Sequence, residues 1–97
     1  MPGAAGRGMS DSRITAAVAA YLCRHRSVGI LRLVDDLLKL PGVRRALGLA
    51  HTPAPDTPEW WRAYNAVTEA VRELAGAGAA EYLASVGVVN WRGPPCG

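Results

Sequence analysis

The 97-residue sequence contains no phenylalanine, only two cysteines and two histidines, and no long apolar run. Without Phe, and with much of the 49% apolar content supplied by alanine, the interior must be filled by Leu, Val, Trp and Tyr. Two cysteines are too few for a disulfide framework. Cys23 also falls inside a helical pattern, so the thiols are expected to be reduced and the chain cytoplasmic. The most apolar stretch, "ITAAVAAYLC", is half the roughly 20 residues a bilayer span requires. No membrane segment is therefore expected, and "MPGAAGRGMS" lacks the apolar core of a secretory signal.

Chemistry-bearing constellations are equally scarce. Cys23 and His25 are two residues apart, which on a helix points them to different faces. His51 and Cys96 fall in segments that read as flexible, so neither a metal site nor a cofactor is expected. No Ser-His-Asp set, phosphate loop or paired-carboxylate pocket stands out, and Asp35 and Asp36, adjacent on a helix, diverge. These gaps argue for a binding protein and against an enzyme.

What is present organises one domain. A chain of this length buries roughly 60 to 68% of its unfolded surface. Residues 1–10 read as a disordered extension, with Met9 an alternative start. Ser10, Asp11 or Ser12 can cap a first helix whose stripe is Ile14, Val18, Tyr21 and Leu22. "RSVG" breaks it. A second helix, "ILRLVDDLLKL", carries Ile30, Leu33, Val34, Leu37 and Leu38 at helical spacing, with Leu31 and Leu40 widening the stripe toward two packed sides. Pro41 and Gly42 end it, "VRRALG" allows another turn or two, and "LAHTPAPD" is a linker.

"DTPEWW" then starts a third helix, 57–76, with Thr57 or Asp56 as cap, Pro58 in the first turn and Glu59 at the positive end of the dipole. Trp60, Tyr64, Val67, Val71 and Leu74 repeat in a 4-3-4-3 spacing that confines them to one sector, which marks them as core. Trp61, beside Trp60, cannot share that sector; it either covers a neighbouring element or is exposed for a partner. Gly76 and Gly78 stop the helix. "AAEYLA" and "VVNWR" follow as short strands around Gly87, and residues 93–97 form a flexible tail.

The formal charge is +3, and its distribution is uneven. Arg24, Arg26, Arg32, Lys39, Arg44 and Arg45 face only Asp35 and Asp36 in the middle of the chain. After residue 55 the balance is acidic, with Arg62, Arg72 and Arg92 outnumbered by Asp56 and four glutamates.

Val67, Ala70, Val71, Leu74 and Gly78 form a V-x-x-A-[LV]-x-x-L-x-x-x-G run that leads into "AEYL". This run, and the order helix, helix, helix, two-stranded ribbon, resembles the winged helix-turn-helix domains. The resemblance implies a mainly α fold with a small β-hairpin (α+β): three to four helices followed by a two-stranded antiparallel wing, over residues 11–92. It also implies a small DNA-binding protein, a transcriptional regulator acting as a dimer on double-stranded DNA, that reads DNA with helix 57–76 and wing 80–92. The base-contact candidates are then Trp61, Arg62, Asn65 and Glu69, since Arg pairs with guanine, Asn with adenine, and Glu accepts from cytosine. Backbone or wing contacts fall to Arg24, Arg26, Arg44, Arg45, Ser85, Val86 and Arg92. The alternative is a winged helix used as a protein-interaction or assembly module, with Trp61 as the anchor for a protein partner or a second copy. The acidic balance after residue 55 favours that alternative, and the basic central segment favours DNA.

Overall fold

The computed structural model describes residues 11–96; the disordered extension expected over 1–10 and the alternative start at Met9 lie outside the described residues. Asp11 caps the first helix, α1 (Ser12–Arg24), accepting from the backbone N–H of Arg13 at 2.8 Å. Satisfying one of the unpaired N-terminal donors in this way stabilises the helix by about 1 kcal/mol. α1 turns Ile14, Val18 and Leu22 into the core.

The segment after α1 departs from expectation. Ser27–Gly29 is a strand, β1, where the sequence reads as a simple helix break. It pairs antiparallel with the last strand, Val28 opposite Val89. Gly29 then caps α2 (Ile30–Leu38) through its backbone. α2 is the centre of the core, with Leu33, Val34 and Leu37 fully buried. Each such side chain contributes about 1.5–3 kcal/mol relative to exposure. Leu31 and Leu40, expected to widen that stripe, are instead exposed.

Pro41 ends α2 and opens a short helix, α3 (Pro41–Ala46), with Leu40 as its N-cap. The linker that follows is fastened rather than free. Thr52 Oγ1 and Arg44 Nη1 both donate to the Leu38 carbonyl, at 3.3 and 2.8 Å, which satisfies the C-terminal end of α2. The linker delivers Thr57, the N-cap of α4 (Pro58–Gly76), whose Oγ1 accepts from Trp60 N–H and donates to the Ala54 carbonyl.

α4 ends in a Schellman motif. Ala79 N–H reaches the Leu74 carbonyl and Gly78 N–H the Ala75 carbonyl, with Gly78 at φ +83°. That left-handed conformation suits glycine and turns the chain sharply into β2 (Ala80–Leu83). A four-residue turn, 84–87, leads to β3 (Val88–Trp91). β3 is the central strand, in the order β1-β3-β2.

Among the described residues the fold is thus mixed α/β, four helices with a three-stranded antiparallel open sheet. The expected two-stranded ribbon is present and gains a third strand, because β1 supplies the backbone partners that the outer edge of β3 would otherwise lack. The sheet lays Val28, Ala80 and Val89 over the core, and Leu83 outward.

The cysteines correct a second expectation. Cys23 and Cys96 form a disulfide, their Cα atoms 5.4 Å apart. Beyond Trp91 the chain folds back across the indole ring, whose Nε1 donates to the Pro94 carbonyl at 2.8 Å. A side chain at Gly93 would collide with that ring, so the tail's close approach depends on this glycine. Cys96 is thereby brought to the end of α1. The argument from cysteine usage for a reducing compartment falls with this pairing. Among the described residues no helix is long and apolar enough to cross a membrane.

Candidate nucleic-acid interface

α4 separates its residues cleanly. Trp60, Ala63, Val67, Ala70 and Val71 are buried, while Trp61, Arg62, Asn65 and Arg72 are exposed and Glu69 is half-buried. At 100° per residue the latter group occupies one stripe over about three turns. The four residues proposed for base contact, Trp61, Arg62, Asn65 and Glu69, therefore share a face.

Trp61 resolves in favour of exposure, at 44%. Its indole Nε1 donates to Asp56 Oδ1 at 2.8 Å, and its ring meets Trp60 and Tyr64 edge-on with centroids 4.9 and 5.2 Å away. Asp56 sits at φ +63°, a left-handed conformation that Asp tolerates better than most residues. Trp60 occupies the inner side of this aromatic cluster and donates from Nε1 to Asp35 Oδ1 at 3.0 Å, tying α4 to α2.

The polar members of the face are partly engaged within the chain. Arg62 Nη2 donates to the Leu47 carbonyl at 3.1 Å, and Arg72 pairs with Glu69 at 3.0 Å. Arg92 pairs with Glu81 across β2 and β3. Exposed pairs of this kind are worth about 0–1 kcal/mol, so they hold these side chains only weakly. A cleft of about 450 Å³ lies beside the first turns of α4, between segment 48–54 and Thr57, Glu59 and Arg62.

The ribbon is anchored at its turn. Ile30 N–H, at the start of α2, donates to the Gly87 carbonyl at 2.7 Å. Ser85 and Val86 stand exposed on the same turn, and Val86 is 65% exposed. Where Tyr82 of β2 meets α4, burial and then the Tyr64 hydroxyl push the Tyr82 phenol above its ordinary pKa, so it stays neutral at physiological pH.

The remaining basic candidates do not gather on α4. Arg24 and Arg45 line clefts between α1 and the α2–α3 corner. Arg44 is committed to the end of α2. Arg26 is exposed just before β1, where its carbonyl accepts from Trp91 N–H. The structure thus brings together the base-contact set and separates most of the proposed phosphate contacts from it. Sequence reasoning missed the roles of Asp35 and Asp36. They diverge as expected, but each is a tether: Asp35 holds Trp60, and Asp36 accepts from the Tyr21 hydroxyl. Their spacing beside a wide apolar stripe was the available signal. No three His, Cys, Asp or Glu side chains among the described residues converge as metal ligands.

Compared with protein-family models, with curated proteins and with solved structures, the chain matches none.

Proposed function

We propose that this chain is a small winged-helix-type DNA-binding protein, a transcriptional regulator that contacts duplex DNA through α4 and the β2–β3 wing. The observation that carries the reading is the single exposed face of α4 bearing Trp61, Arg62, Asn65 and Arg72. A helix of 19 residues is about 28 Å long, enough to lie in a major groove with several side chains at base edges. The helix–helix–helix–ribbon order and the sharp Gly78 entry to the wing are consistent with it. Arg26 and the wing's Arg92 supply backbone contacts on this reading.

Fluorescence anisotropy on a labelled duplex of arbitrary sequence tests the proposal. The expected outcome is retention near 50 mM salt and a linear fall of log K with log salt; Arg26→Ala with Arg92→Ala reduces that slope by roughly two. Absence of retention at low salt, or an unchanged slope in the double variant, refutes it.

One observation favours the second reading, a protein-interaction or assembly module. The arginines of the α4 face are engaged within the chain, while the indole of Trp61 is offered to solvent. On that reading Trp61→Ala weakens self-association or partner capture with the fold intact. Unchanged sedimentation and capture in that variant count against it.

A further inference from the structure

On α1, Arg13, Ala17, Ala20 and Arg24 recur at i, i+4, i+7 and i+11, one stripe distinct from the buried Ile14, Val18 and Leu22. Two clefts of about 240 Å³ each lie along this stripe and share Ala17 and Leu40. One continues over Gly42, Val43 and Arg45, and the other over Tyr21, Arg24 and His25. Together they make a shallow trough about 16 Å long, the rise of three helical turns. Its floor is methyl groups and an apolar edge, with Leu40 standing 44% exposed in the middle.

Both ends of the trough are cationic. Arg45 sits at one end and Arg24 at the other, and neither guanidinium makes a hydrogen bond or ion pair with any described residue. Arg13, beside Arg45, is paired with Asp11. Among the described residues, no carboxylate lines either cleft. An apolar floor of this length between two unpaired guanidinium groups complements an amphipathic segment that carries an apolar stripe with carboxylates on both flanks.

We infer that the α1–α3 trough is a docking site for an acidic amphipathic helix of a partner protein, three turns long. Its apolar stripe lies over Ala17, Ala20 and Val43 against Leu40, while its Asp or Glu side chains take Arg24 and Arg45 bidentately. Small side chains on α1 let the partner helix approach closely. This site is separate from the exposed face of α4, so it does not rest on the DNA reading.

The test uses the full chain and a labelled amphipathic peptide of about 14 residues, with leucine at i, i+3, i+4 and i+7 and glutamate on both flanks. A second peptide replaces every glutamate by lysine. The glutamate peptide is expected to bind in the micromolar range and the lysine peptide not at all. Arg24→Glu with Arg45→Glu is expected to weaken binding about tenfold or more. Leu40→Asp is expected to abolish it with the circular dichroism and melting temperature unchanged, because Leu40 is exposed and Asp is a favoured N-cap for α3. No binding, equal binding of the lysine peptide, or indifference to both variants overturns the inference. So does self-association that Leu40→Asp abolishes, which makes a second copy the occupant. Displacement of the peptide by duplex DNA also overturns it, assigning the guanidinium groups to phosphate.

Discussion

Reducing the Cys23–Cys96 disulfide is the perturbation whose size can be worked most directly. The bridge spans 73 residues of sequence, from the end of α1 to the tail. Closing a loop of that length removes about 4 kcal/mol of chain entropy from the unfolded state. The folded side of the balance changes little. Pro94, Pro95 and Cys96 are exposed, and Trp91 Nε1 also ties the tail by its bond to the Pro94 carbonyl. Nearly all of the effect therefore resides in the denatured chain. Against a typical total of about 5–15 kcal/mol, it decides whether so small a core is comfortably or marginally stable. Urea unfolding followed by tryptophan fluorescence reads it, on oxidised protein, on protein held in a phosphine reductant, and on Cys23→Ser with Cys96→Ser. The reduced and double-serine forms should coincide, with midpoints about 2 M below the oxidised form for a urea dependence near 2 kcal/mol per M. Oxidised and reduced forms that agree within about 1 kcal/mol would refute the reasoning, since the loop term could not then be acting.

Three further outcomes are expected. Gly76→Ala should stabilise by roughly 0.5 kcal/mol because residue 76 is helical with open space around it, whereas Gly78→Ala should destabilise by about 1 kcal/mol at φ +83°; equal signs in thermal melts would contradict the Schellman assignment. The Tyr21 hydroxyl, followed by Lys39 and Arg32, holds the Asp36 carboxyl below its ordinary range despite some burial. Its contribution is therefore present above the unfolded carboxylate pKa and is lost as pH falls through the lower folded value. Tyr21→Phe should cost about 1 kcal/mol near neutrality, with the gap to wild type closing in acid; a gap that is constant with pH in urea titrations sinks the assignment. Leu33→Ala, at 0% exposure in the centre of α2, should cost about 2–5 kcal/mol in the same titrations, and a loss under 1 kcal/mol would show that the site collapses around the deletion.

The helices were legible because their signals are local. The Asp11 cap, the Thr57-Pro58 start of α4 and the 4-3-4-3 stripe from Trp60 to Leu74 each depend on residues within a few positions of one another. β1 was illegible for the opposite reason. Three residues ending in glycine carry no strand pattern of their own; they are a strand because β3, far along the chain, offers Val88–Asn90 to Ser27–Gly29. The disulfide likewise depends on a tail that turns back only where Gly93 passes the Trp91 ring. Helical periodicity placed Arg62, Asn65 and Glu69 opposite the buried sector, with Trp61 at the boundary. It could not tell which arginines turn inward to cap carbonyls, since that choice belongs to the linker's path: Arg44 reaches Leu38 and Arg62 reaches Leu47.

α2 explains how two surfaces so different in character are held in one relation. Leu33, Val34 and Leu37 anchor it in the core, and its adjacent carboxylates diverge by about 100° at the core's polar edge. Asp35 receives Trp60 Nε1 and so fixes the first turn of α4, the turn that also carries Trp61. Asp36 receives the Tyr21 hydroxyl and so fixes the last turns of α1, the turns that carry Ala20 and Arg24. Each tether joins a neutral donor to a carboxylate, a bond worth about 1.5–3 kcal/mol when shielded and less at these half-exposed positions. Because both originate on one helix, the aromatic, mixed-charge face of α4 and the cationic trough of α1 are positioned by the same rigid element. A ligand engaging either one meets a surface already set by the core, and its affinity is not reduced by the ordering of α1 or α4.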